Sequence, residues 1–244
     1  MATEAKLLTN HDYAAAELVA AWDPSTATGT TVADTTSGYG TPLTLSGGAS
    51  LDGTGIVLDG SDDAATAPGP LVDDTGSFTA TTVVQLDSSA LAAKQTGYIG
   101  QVIGQRSSDG SAWGLWYELT GTDNDPETDA TVPVGYWHFG RHNADGSFTG
   151  VVSDSTADLG SAVRLTGIFN AQDGDHGTVS LYVGDMQNGD TTAYTAVAGT
   201  GDFAVGKAFA NSAWGPYLPA TVSDIRLWAG AMASQDQITN TIGD

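Results

Sequence analysis

The stretch Ala220-Thr-Val-Ser-Asp-Ile-Arg-Leu-Trp228 decides the fold, because its side chains recur with the two-residue period of a strand packed on at least one face. On strict alternation Ile225 and Leu227 face one side, while Val222, Asp224, Arg226 and Trp228 face the other. The run ends at Gly230. Behind it, Ser234-Gln-Asp-Gln237 places a serine N-cap before polar residues and predicts a short C-terminal helix. A strand this late is expected to pair with early ones.

Upstream, short apolar runs alternate with Gly, Ser, Thr and Asp. They predict strands at residues 43–45, 55–58, 78–86, 98–105, 114–120, 135–141, 163–169, 179–183 and 203–205. Phe78, Ala80, Thr82, Val84 and Leu86 share one face of their run, as do Val163, Leu165, Gly167 and Phe169 of theirs. Between two of these runs, Asn170-Ala-Gln-Asp-Gly-Asp-His-Gly177 has the Asp-Gly and His-Gly pairs of a hairpin connection. Glu4 to Trp22 is the only long segment with helical spacing, with Leu7, Leu8, His11, Ala14, Ala15, Leu18 and Val19 roughly three to four apart. The expected organisation is an N-terminal helical arm or linker over residues 1–20, followed by one domain over residues 21–244.

Composition supports this reading. Aspartate far outnumbers glutamate, and 32 glycines accompany abundant Thr and Val, which suits strands joined by turns rather than helices. The net charge of -22 repels phosphate backbones and anionic lipid, so neither nucleic acid nor a membrane surface is an expected partner. With no cysteine there is neither a disulfide framework nor a thiol nucleophile. No apolar run reaches membrane-spanning length. Met1-Ala-Thr-Glu-Ala-Lys6 lacks the regions of a secretion signal, so export would use another route or a removed leader.

Trp22-Asp23, Thr31-Val-Ala-Asp-Thr-Thr-Ser-Gly38, Val57-Leu-Asp-Gly60, Gly76-Ser-Phe-Thr79, Leu165-Thr-Gly-Ile-Phe169, Ser180-Leu-Tyr-Val-Gly184 and Val222-Ser-Asp-Ile-Arg-Leu-Trp228 follow one another in a characteristic order. Together they resemble the laminin G-like, concanavalin A-like jelly-roll domains. The resemblance implies an all-β, two-sheet antiparallel jelly-roll sandwich, with one concave sheet and ligand sites on that face or at the rim. It also implies Ca²⁺ at the rim, for which the matching positions are Asp34 and Asp59, with Asp224 brought near by the closing strand. The alternative for the same residues is that Asp34 caps a turn while Asp59 and Asp224 orient strand ends.

The remaining chemistry is sparse. Glycoside hydrolysis needs two carboxyl groups about 5–9.5 Å apart, yet Glu118 is the single glutamate inside a predicted strand, flanked on its face by Trp116 and Thr120. Glu118 therefore reads as a surface acid, and the chain is not expected to be an enzyme. His138 and His142 lie on a strand, where four residues span about 13 Å, too far for a shared ion. The acidic run Asp123 to Asp129 lacks the glycine and terminal glutamate of an EF-hand loop and reads as solvated. Aromatics are the better handle. Trp116 and Tyr117 are adjacent on a strand and cannot both enter one core, so some rings should be exposed. Trp214 and Tyr217, in the predicted loop from Asn211 to Tyr217, join Trp116 as candidate ligand-binding residues.

These features point to a non-catalytic binding or adhesion module in an extracellular or virion-type assembly, contacting protein partners or surface glycans, with a homo-oligomer among the expected assemblies. A stand-alone secreted lectin module is the second reading and a glycoside hydrolase of the same fold the third.

Overall fold

In the computed structural model of the chain, residues 16–36, 40–124, 129–210, 213–232 and 235–242 are described. Nineteen strands follow in order among them: β1 (Glu17–Trp22), β2 (Thr31–Val32), β3 (Leu43–Ser46), β4 (Ser50–Leu51), β5 (Ile56–Asp59), β6 (Ala64–Ala67), β7 (Phe78–Leu86), β8 (Ile99–Ser107), β9 (Ala112–Asn124) and β10 (Thr131–His142), then β11 (Phe148–Thr156), β12 (Val163–Asn170), β13 (Thr178–Val183), β14 (Met186–Gln187), β15 (Thr192–Ala193), β16 (Gly199–Val205), β17 (Lys207–Ala210), β18 (Ala213–Tyr217) and β19 (Pro219–Ala229). Two short helices, α1 (Ser88–Ala92) and α2 (Gln235–Ile242), complete the described elements with a 3-10 turn at Pro24–Thr26.

One sheet runs β14-β13-β12-β7-β19-β5-β4, with β1 also on β19 and β15 on β13. The other runs β11-β10-β9-β8-β16-β6-β3-β2, and β17 and β18 form a separate hairpin. The pairings are antiparallel. This is the expected two-sheet all-β sandwich, and α2 supplies the expected C-terminal helix; Ser234, its proposed cap, lies outside the described residues. The closing strand does pair with early ones, namely β1, β5 and β7.

Two readings are corrected. Residues 1–15 of the proposed helical arm lie outside the described residues, but Glu17–Trp22 is a strand of the sandwich, not the end of a helix. Val19, Ala20, Ala21 and Trp22 are all buried, and a short strand covered on both faces loses the alternation that separates it from a helix. The second correction concerns β19. Its ladder shifts between Ser223 and Arg226, where Asp224 has φ 44°. This bulge inserts one residue, so Val222 turns inward to join Ile225 and Leu227 in the main core.

That core is strongly aromatic. Trp22 stacks on Phe203 at 5.4 Å, and Phe78 meets Trp113 at 4.7 Å and Phe169 at 5.8 Å. Gly167 of β12 lets the Phe139 ring lie against the strand; a Cβ there would collide with it. Trp228 faces the opposite side and forms a second cluster with Ile168, Met232, Ile238 and Ile242, which docks α2 on the outer face of the first sheet.

Candidate binding site

In β9, Trp113, Leu115, Tyr117 and Leu119 point into the core, which leaves Gly114, Trp116 and Glu118 on the outer face of the second sheet. In β10, Trp137 and Phe139 point inward, and His138, Gly140 and His142 outward. Register then places Trp116 between Gln101 of β8 and His138 of β10. One row further along, Gly104, Gly114, Gly140 and Gly150 stand side by side across four strands. Nothing larger than hydrogen projects from that row, so neighbouring rings can lie low over the sheet.

Those rings form one cluster. The Trp116 indole lies 4.3 Å from the His142 ring, 6.2 Å from His138 and 4.9 Å from Phe148 of β11. The β17–β18 hairpin lies over β8, tied by hydrogen bonds from Gln101 Nε2 to the Lys207 carbonyl at 2.9 Å and from the Tyr98 hydroxyl to the Tyr217 carbonyl. A cavity of about 220 Å³ remains between hairpin and sheet, lined by Tyr98, Ile99, His142, Ala208 and Pro216 with Gly97 and Gly146.

Neither ring nitrogen of His142 has a protein partner. His138 Nδ1 has none either, and its Nε2 lies 3.1 Å from Glu118 Oε2 without hydrogen-bond alignment. Burial pushes the His138 pKa down to about 4, assisted by His142, and burial also lowers that of His142. Both imidazoles are thus neutral at neutral pH, each offering one donor and one acceptor. Burial raises the Tyr98 phenol, which stays protonated on its carbonyl.

The aromatic candidates fare differently. Trp116 is only 1% exposed and does not line the cavity; it packs behind His142 and Phe148. It and Tyr117 are both buried because the second sheet is covered on both faces here. The stretch expected as a loop is strand β18: Tyr217 is half-buried, Trp214 pairs through its backbone with Phe209, and residues 211–212 lie outside the described part. The acidic loop Asp123–Asp129 lies outside it at residues 125–128.

The structure does not bring Asp34, Asp59 and Asp224 together. Asp34 accepts from Ala21 N at 3.1 Å, Thr36 N at 2.9 Å and Thr41 N at 3.2 Å, which uses its oxygens to bind β1 to the following turn. Asp224 is paired with Arg164 at 2.8 Å and Arg226 at 2.6 Å. Asp59 pairs with Pro219, five residues before Asp224 and so roughly 15 Å away along β19. Its carboxylate neighbours Asp62 and Asp63 instead, and Asp63 receives the Asp59 and Gly48 backbone N–H groups. Turn and strand-end roles account for all three.

A second polar group lies within the sandwich and has no sequence signature. Asp74, fully buried, accepts from Trp113 Nε1 at 3.0 Å, Ser107 Oγ at 3.2 Å and Gln105. Arg141 donates to Ser107 at 2.6 Å and Ser111 at 2.8 Å, and its guanidinium lies over Tyr194. Burial pushes Asp74 up to about 7 even against the Arg141 charge.

No family profile and no curated sequence matches the chain. Solved structures do match. Domain 4 of AbnA, a GH43 extracellular arabinanase from Geobacillus stearothermophilus, solved with arabinotriose, has a TM-score of 0.54 at 17% identity, covering 92% of this chain and 98% of that one. A structure of botulinum neurotoxin type C, described as entering cells through two ganglioside molecules, scores 0.60 at 12% identity over 96% of this chain and 52% of that one. Trypanosoma rangeli sialidase with sialic acid scores 0.57 at 15% identity, covering 93% and 33%. The chain thus spans nearly all of the arabinanase domain, about half of the toxin chain and a third of the sialidase.

At 12–17% identity these likenesses show the fold, an all-β two-sheet sandwich. They correct one expectation. The want of an acid-rich strand argues against an enzyme, but a third of a sialidase chain and one domain of an arabinanase share this fold, so that argument does not exclude catalysis.

Proposed function

We propose that the chain is a glycan-binding module whose site is the roofed face over β8, β9 and β10. The observation that carries this is one cavity that presents the Tyr98 ring together with the unpartnered, nine-tenths-buried His142 imidazole, which is itself packed 4.3 Å from Trp116. A sugar ring has apolar C–H faces that pack on aromatic rings and hydroxyls that donate and accept, so it satisfies both demands. A larger cleft of about 490 Å³ opens between Asp123, Val132, Pro133 and Asp158, but no aromatic ring lines it. The ganglioside-dependent toxin and the arabinotriose-bound domain support the reading as proteins of the same fold. A laminin G-like affinity within this fold rests on the ordered motifs, and an extracellular setting on the extracellular arabinanase.

A glycan array followed by titration calorimetry tests this with the full chain and His142→Phe, which keeps a ring against Trp116 and removes both nitrogens. Binding should weaken by about 1–3 kcal/mol in the variant, the cost of leaving a sugar hydroxyl unpaired. A silent array, or equal affinity of the two proteins, would remove the site.

A further inference from the structure

We infer that this pocket selects a neutral, methyl-bearing sugar at the end of a glycan and rejects acidic sugars; the inference rests on the glycan reading above. Size comes first. A cavity of about 220 Å³ lies below the roughly 300–1,000 Å³ of sites that enclose drug-sized ligands, so it admits one sugar residue and not a chain lying through it.

Polarity narrows the choice. Ile99, Ala208 and Pro216 present carbon, and the Tyr98 hydroxyl is already spent on the Tyr217 carbonyl. The polar side chain left to the ligand is the neutral His142 imidazole. A hexose inserted here buries more hydroxyls than one imidazole can satisfy, and each unsatisfied hydroxyl is penalised. A 6-deoxyhexose replaces one hydroxyl with a methyl that the carbon wall accepts. An N-acetyl group is the other source of such a methyl.

Charge excludes the acids. Among the described residues, no Lys or Arg lines the cavity. Lys94, whose Nζ lies 5.2 Å from the Tyr98 ring centre, is outside the lining and donates to the Gly60 carbonyl. Lys207, beside Ala208, interacts with Asp202. A carboxylate would enter an uncompensated apolar pocket on a chain of net charge -22.

The test titrates the unaltered full chain with methyl fucoside, N-acetylglucosamine, methyl galactoside, N-acetylneuraminic acid and glucuronic acid. Methyl fucoside or N-acetylglucosamine should bind about tenfold or more tighter than methyl galactoside, with both acids weaker than either. The stronger of the first two identifies the source of the methyl. Ala208→Leu, which fills the carbon wall, should abolish that preference. Equal binding of galactoside, or preferred binding of an acid that His142→Phe abolishes, overturns this selectivity and leaves the glycan site standing. No binding by any of the five overturns this selectivity, and the glycan reading falls with it only if the array is silent too.

Discussion

Asp224 holds positive φ in the middle of the longest contact between the closing strand and the sandwich. Aspartate tolerates this region better than most residues, and here its carboxylate also neutralises Arg164, whose side chain is 9% exposed and whose Nε and Nη1 have no partner. Asp224→Ala should lose about 3 kcal/mol, because it strands a buried guanidinium and forces alanine into a strained conformation. Asp224→Asn keeps the tolerated backbone and should lose less; equal losses in urea unfolding would show that the ion pair alone matters. Elsewhere aspartates cap turns through the N–H two residues on, as at Asp23, Asp52, Asp73, Asp87, Asp109 and Asp145. That is the role their abundance suggested. The binding-site residues were less legible. His138 and His142 were correctly put on a strand, but only neighbouring strands show that both reach the Trp116 indole. The usable signal was the outward set Gly114, Trp116, Glu118, His138, Gly140 and His142, in which small residues alternate with rings.

Among elements, α2 is fastened by few side chains. Ile238 is fully buried and Ile242 4% exposed, both against Trp228, Ile168 and Met232. Ile238→Ala should cost about 2–4 kcal/mol through lost burial and a residual cavity, and hydrogen exchange should show α2 and the outer face of β19 losing protection first. Unchanged protection there would mean that the helix contributes nothing to the sandwich. The strands read from sequence were those with clear alternation, such as β7 and β12. β1, buried on both faces, and two-residue strands such as β2, β4 and β14 carry too little local pattern to be seen. β18 looked like a loop because Gly215 and Pro216 interrupt it.

For the whole molecule, two buried groups make stability depend on pH in opposite directions. Asp74 keeps its proton up to about 7, whereas the unfolded chain releases it near 3.8, so its contribution is fully present below 3.8 and is lost as pH rises to 7. His138 is neutral down to about 4, whereas the unfolded chain binds a proton below 6.5, so its contribution is present above 6.5 and is lost as pH falls to 4. Between pH 4 and 6.5 the two slopes oppose each other, with His142 adding to the histidine side. Asp74→Asn should therefore make the melting temperature climb with pH across this window, and His138→Phe should make it fall or flatten. Parallel profiles for both variants and the parent would refute the assignment of these two groups.

Local chemistry by itself determined that the chain is built of many short strands joined by aspartate-made turns, because alternation and turn preference act over a few residues, while the resemblance carried by the ordered motifs implied the two antiparallel sheets. The tertiary structure alone decided which face each residue takes beyond the Asp224 bulge, since one inserted residue reverses every side chain after it. It also decided that Trp116 is buried against His142 and Phe148, and that Asp34 and Asp224 spend their charge on a backbone turn and two arginines. Those outcomes depend on partners such as Ala21, 13 residues from Asp34, and Arg164, 60 residues from Asp224, beyond the reach of any local pattern.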